Sequence, residues 1–171
     1  MTTCPSCGHQ NIEGVDSCES CSESLTDLHL HEPATDVERS LLDDRISVLE
    51  PKSPITVSSN TPVHDVVVML AERGIGSVLI VDEGKLVGIF SERDALLKLN
   101  TEANELGEKP ISEFMTADPE TLAANAKVAF AVQRMDLGGF RHVPIMAESG
   151  ELDGVISVRD ILSYLTEHSN G

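Results

Sequence analysis

The chain has 171 residues, with 12 Lys plus Arg against 29 Asp plus Glu, a formal net charge of −17. At 40% hydrophobic it can bury a core, which excludes wholesale disorder. So negative a balance repels phosphate backbones and argues against bulk binding of nucleic acid.

In chain order the first feature is Cys4-Pro5-Ser6-Cys7-Gly8, followed by Cys18-Glu19-Ser20-Cys21-Ser22. All four cysteines of the chain therefore lie in two C-x2-C turns separated by ten residues. Each turn can aim two sulfurs at one point, and four thiolates suit a tetrahedral zinc site. So short a head cannot build its own core and needs a staple. Nothing points to an oxidising compartment, so a metal held by Cys4, Cys7, Cys18 and Cys21 is expected rather than reactive or disulfide-paired thiols. Cys-Pro-x-Cys-Gly, with Asn11 and Gly14 in the loop and Leu25 after the last Cys, resembles the zinc-ribbon family. The resemblance implies a left-handed turn at Gly8, and Ser22 departs from it where the family often has Gly. A rubredoxin-like iron site is the rival, although the head has no aromatic residue to shield a redox centre. Four Cys leave no open coordination position, so a structural metal carrying a docking surface is expected, with His9, His29 and His31 surplus.

Residues 26–45 read as an acidic linker ending in a short helix. Thr35 is placed as its N-cap with Glu38 at N3, and Val37, Leu41 and Leu42 form the apolar side.

The body is a duplication. Residues 46–82 align with 111–147, and after one extra residue in the turn Glu148-Ser149-Gly150 the match continues through Ser91-x-Arg93-Asp94-x-Leu96 and Ser157-x-Arg159-Asp160-x-Leu162. About a third of the aligned pairs are identical. Each copy predicts a short extended piece (Thr56-Val57; Thr121-Leu122) and a helix (Pro62–Arg73; Ala126–Leu137) stopped by Gly74 or Gly139. Two strands (Ser77–Val81 and Leu86–Phe90; Val143–Met146 and Leu152–Ile156) and a last helix after Ser91 or Ser157 follow. The scheme is β-α-β-β-α, twice. The helix residues Val66, Val67 and Leu70 serve either the core or a dimer contact.

That order, with a Gly-h-h-Ser-x-Arg-Asp ending in each copy, resembles the CBS domain, and two copies make a CBS pair. The expected fold class is α+β: tandem CBS repeats at 46–100 and 111–166, small mixed sheets with helices, plus the Cys4 zinc-ribbon head at 1–25. Ser91 and Ser157 can cap the following helix, and Asp94 and Asp160 suit its first turn. The same geometry offers a carboxylate to two ribose hydroxyls, and in CBS pairs these positions resemble the ribose-binding residues. The resemblance implies an adenosyl ligand (AMP, ADP, ATP or S-adenosylmethionine). It joins Ser91, Arg93 and Asp94 to Arg141 and His142 in one cleft. It joins Ser157, Arg159 and Asp160 to the backbone near Ile55, Gly76 and Ser77 in the other. Arg supplies a forked, permanent charge suited to phosphate.

No catalytic set emerges: the thiols are committed, and neither a Walker A nor a G-x-S-x-G elbow occurs. The expectation is a non-enzymatic regulatory sensor, homodimeric by resemblance, with a protein partner on the zinc ribbon. The alternatives are an interaction scaffold with degenerate pockets and an iron protein. Apolar runs such as Val78–Val81 are far too short to span a bilayer, and no signal peptide precedes them, so a cytoplasmic protein without membrane or nucleic-acid partners is expected.

Overall fold

The computed structural model describes residues 2–4, 6–12, 15–25, 35–99 and 106–168. His29 and His31, named above as spare ligands, and Gly14 in the ribbon loop lie outside them.

The chain forms two compact units, one of residues 53–120 and one of residues 1–52 with 121–171. The unit 53–120 is a β-α-β-β core. Strand β3 (Thr56–Val57) runs parallel to β4 (Ser77–Asp82), which pairs antiparallel with β5 (Lys85–Ser91). Helix α2 (Val63–Arg73) connects β3 to β4 and buries Val63, Val66 and Leu70 against Val78, Ile80 and Phe90. It stops at Gly74, whose φ of 60° is the left-handed cap expected of glycine. A short helix α3 (Glu92–Asp94) follows β5 and widens into a π-helical turn over Ala95–Leu99. Repeat one therefore ends in a wider coil than the regular helix the sequence predicts.

The other unit repeats the plan. Strand β7 (Leu122–Ala123) is parallel to β8 (His142–Met146), which pairs antiparallel with β9 (Leu152–Ser157). Helix α4 (Val128–Gly138) buries Val128, Ala131 and Met135 and stops at Gly139 with φ 63°. Helix α5 (Val158–His168) is regular throughout. Val66 and Leu70 are core in their own unit, which decides between the two roles left open for them.

Both units also recruit a segment that the sequence pattern missed. The turn Ile111–Glu113 and strand β6 (Thr116–Ala117) belong to the unit of repeat one, where Ile111 and Phe114 join the core and β6 pairs with β5. The turn Ile46–Leu49 belongs to the unit of repeat two, where Ile46 and Leu49 pack with Leu122, Val143 and Ile156. The opening residues of each sequence repeat are thus core residues beside the other repeat's strands.

Helix α1 (Asp36–Asp43) forms where expected, with the Thr35 side chain accepting the Glu38 N–H at 3.1 Å. Leu41 packs on the core while Leu42 stays exposed, so the apolar side is narrower than the pattern suggests. Its C-terminal Asp44 accepts the Tyr164 hydroxyl at 2.7 Å, which ties α1 to α5.

Candidate metal and ligand sites

In the head, strands β1 (Thr2–Thr3) and β2 (Gln10–Asn11) form a hairpin around the first cysteine turn. The two turns are alike: the Gly8 N–H bonds the Cys4 carbonyl at 2.9 Å, and the Ser22 N–H bonds the Cys18 carbonyl at 2.8 Å. Gly8 has φ 75° and Ser22 has φ 59°. The substitution noted at Ser22 thus puts a side chain where glycine is unstrained. Asn11 is buried and holds the halves together, donating to the His9 carbonyl at 3.0 Å and accepting the Glu19 N–H at 3.0 Å.

The four sulfurs lie within 4.8 Å of one another, with Cys4–Cys21 and Cys7–Cys18 each at 3.6 Å. Four thiolates on a tetrahedral ion with bonds near 2.3 Å stand about 3.8 Å apart, so the cage has the right size. Burial pushes the Cys4 and Cys21 thiols up. Burial acts the same way on Cys18, but N–H groups of Cys21 and Ser20 and the neighbouring sulfurs outweigh it and bring that thiol down to about 6. A cation at the centre would let all four ionise together. The head is fastened to repeat two by Glu23, which meets Arg134 of α4 at 3.3 Å. Its Gly8 turn also lies so close to Asn125 that a Cβ there would come within 2.6 Å of the amide nitrogen.

The second candidate sites are the strand-to-helix corners. In repeat one, the Ser91 hydroxyl and N–H donate to Asp94 Oδ2 at 2.6 and 3.0 Å, and the Asp94 N–H returns to the Ser91 oxygen at 3.3 Å. In repeat two, the Ser157 hydroxyl and N–H donate to Asp160 Oδ2, both at 2.6 Å. The strand starts sit beside these corners. Ser77 pairs with Ser91, the Gly76 carbonyl accepts the Glu92 N–H at 3.1 Å, and the Ile55 carbonyl accepts the Leu79 N–H at 2.9 Å. Likewise His142 pairs with Ser157, and the Arg141 carbonyl accepts the Val158 N–H at 2.9 Å. Arg93, Arg141 and Arg159 are exposed. The grouping expected from sequence, corner of one repeat with strand start of the other, concerns both units jointly. Each unit by itself places its own strand start beside its own corner.

Two residues were not singled out from the sequence. Lys98 reaches Asp94 Oδ1 at 2.8 Å and also the Phe114 carbonyl at 2.6 Å. Lys52 reaches Asp160 Oδ1 at 2.9 Å. Partial burial works to raise both aspartic carboxyls, but at Asp94 the bonds from Lys98 and Ser91 outweigh it and hold that carboxyl below the ordinary range. At Asp160 the bonds from Ser157 and Lys52 do the same. The Lys98 contact has a legible signal, the i, i+4 spacing from Asp94. Lys52 lies 108 residues from Asp160 and had none.

The profile of the CBS domain matches residues 46–100 and 111–167. The chain belongs to the CBS-domain family. Among curated relatives of this CBS-domain protein is an uncharacterised 17.7 kDa protein of Acidianus ambivalens, 27% identical over 124 residues, which are 72% of this chain and 74% of that one. The meiotically up-regulated gene 70 protein of Schizosaccharomyces pombe is 27% identical over 107 residues, 63% of this chain but 15% of its own length. An uncharacterised protein of Methanopyrus kandleri is 32% identical over 109 residues, 63% of this chain and 56% of its own. The chain thus spans about half of the last and a small part of the second. A CBS domain protein from Pyrobaculum aerophilum, solved in complex with AMP, matches with TM-score 0.64 at 26% identity, covering 75% of this chain and all of that one. The CBS domain pair of protein MJ0100, solved with 5′-methylthioadenosine and S-adenosylmethionine, matches with TM-score 0.63 at 26% identity, covering 72% and 97%. Among the described residues no helix is long and apolar enough to cross a membrane.

Proposed function

We propose that this chain is a regulatory module that binds an adenosyl compound at its Ser-x-Arg-Asp corners and carries a zinc-loaded head as a protein-interaction element. The observation that carries the reading is the recurrence of one Ser–Asp geometry at the same corner of both repeats, each with its strand start alongside. An Asp held this way keeps one oxygen toward Ser and offers the other to a pair of hydroxyls. Two neighbours above 25% identity, solved with AMP and with S-adenosylmethionine, support the ligand class. CBS-domain proteins are typically regulatory modules without catalysis.

In this reading the ligand-contacting residues are Ser91, Arg93, Asp94, Ser157, Arg159 and Asp160 of the corners, with Ile55, Gly76, Ser77, Arg141 and His142 of the strand starts. Ligand binding changes the packing of a cytoplasmic homodimer, and the head reports that change to a partner. Zinc fits the four thiolates without requiring the redox shielding that iron would use.

Native mass spectrometry of the protein as purified, with a thermal-shift series over AMP, ADP, ATP and S-adenosylmethionine, tests the reading. A zinc-loaded dimer stabilised by at least one of the four, with the shift lost in Asp94→Ala or Asp160→Ala, supports it. No shift with any of them sinks it, and an iron-coloured protein overturns the zinc assignment. One observation favours a second reading, a scaffold with closed sites: both Asp Oδ1 atoms already hold a lysine. Saturable displacement of either lysine by AMP would end that reading.

A further inference from the structure

The two corners use their carboxylates alike but obtain their lysines differently. In both, Oδ2 is spent on the serine hydroxyl and N–H, so Oδ1 is the oxygen left for a ligand's hydroxyls. In both, a lysine already stands on Oδ1.

Lys98 sits four residues after Asp94 on its own coil and is pinned a second time by the Phe114 carbonyl, its side chain 36% exposed. Lys52 comes from the segment after the Ile46–Leu49 turn. Its backbone is fixed by reciprocal 3.0 Å bonds with Val155, and Pro51 beside it lies over Gly154. Its ammonium, by contrast, meets only Asp160 among the described residues, and the side chain is 70% exposed. The backbone is held while the charge can swing. In the other unit the residue facing the corresponding strand position is Thr116, which pairs with Ile89 and has no charge.

Resting on the reading above, we propose that Lys52 sets the charge preference of the Asp160 site, making it select a phosphate-bearing nucleotide over an uncharged adenosyl compound. Ribose hydroxyls arriving at Asp160 Oδ1 displace the ammonium or share the oxygen with it. The carboxylate then no longer balances Lys52 alone, and the long, strongly hydrated side chain turns to the next negative group within reach. A nucleotide brings that group with it. An uncharged nucleoside does not, and its binding forfeits the ion pair without replacement. Arg141, the residue before the strand whose His142 faces Ser157, is a second cationic residue whose backbone adjoins this corner. The corner of repeat one has Glu92 where repeat two has Val158, and its lysine is held by two partners, so it discriminates less.

The test is calorimetric titration of the full chain carrying Asp94→Ala, which leaves the Asp160 site, with AMP and 5′-methylthioadenosine as probes. The parent is expected to prefer AMP. Adding Lys52→Ala is expected to reduce the AMP to methylthioadenosine preference by about tenfold, the scale of one charge contact near a protein surface. Lys52→Arg is expected to keep it. Equal weakening of both probes by Lys52→Ala marks a merely structural role and overturns the proposal, as does an unchanged ratio. If neither probe binds even the unmutated protein, the adenosyl reading itself falls and takes this inference with it. Binding with an unmoved ratio sinks the inference alone.

Discussion

The two repeats place the same residues at the same corner and then diverge one layer out. Repeat one supplies Lys98 from its own coil; the aligned residue of repeat two is Tyr164, whose hydroxyl instead bonds Asp44, the C-cap of α1. Repeat two therefore takes its cation from Lys52, on a segment brought in from outside the repeat, at a place where the unit of repeat one has Thr116. Duplication preserved the Ser–Asp corner while the surrounding positions exchanged duties. Tyr164 fastens the linker helix while Lys52 balances Asp160.

The largest expected effect separates the unit that carries the head from the one that does not. Cys4→Ser removes one of the four clustered thiols, and a structural zinc site, where one is held, contributes about 10 kcal/mol to folding. Hydrogen exchange should show protection lost across residues 2–25 and kept in β4 and β5; loss spread equally over both units would contradict a locally stapled head.

A second comparison sets Gly154→Ala against Gly88→Ala. The new Cβ would meet the Pro51 ring at 2.7 Å in the first case and the flexible Met115 side chain in the second. Overpacking against a rigid neighbour costs about 2–3 kcal/mol, and against a mobile thioether nearer 1. Urea denaturation that ranks the two the other way would show that Pro51 yields more easily than its ring suggests.

Tyr164→Phe removes the bond to Asp44 and should destabilise repeat two by about 1–2 kcal/mol, leaving repeat one untouched. Unchanged chemical denaturation would mean that Leu41 and the bonds of Val128 and Lys127 to the Asp44 and Asp43 carbonyls hold the end of α1 without the tyrosine.

Acid should act on both corners in the same direction. Asp94 and Asp160 are held below their ordinary value of 3.8, so each contributes stability above that value, lost as pH falls through the lowered one. Thermal melts between pH 6 and pH 2 should show this slope. It should shrink in Asp94→Asn and Asp160→Asn by similar amounts, because each carboxylate has the same number of donors. The smallest effect lies in the head: Ser22→Gly relieves a left-handed serine and should stabilise the head by about 1 kcal/mol, read from the protection of its amides in hydrogen exchange.

Much of this was written in the chain order. The turns Cys4–Cys7 and Cys18–Cys21, the stops at Gly74 and Gly139, and the Ser–Asp corners are all local patterns, and local patterns are set by dihedral preference, hydrophobic period and spacing within a few residues. Internal duplication doubled each signal, so the order β-α-β-β-α could be read twice. Tertiary structure alone decided the rest. That Ile46 and Leu49 are core beside β8 and β9, that Ile111 and Phe114 are core beside β4 and β5, and that Glu23 meets Arg134 follow from burying apolar and charged surface between distant segments. Lys52 belongs to the same class. No periodicity links it to Asp160; the backbone pairing with Val155 puts it there, and an ammonium within reach of a half-buried carboxylate completes the contact.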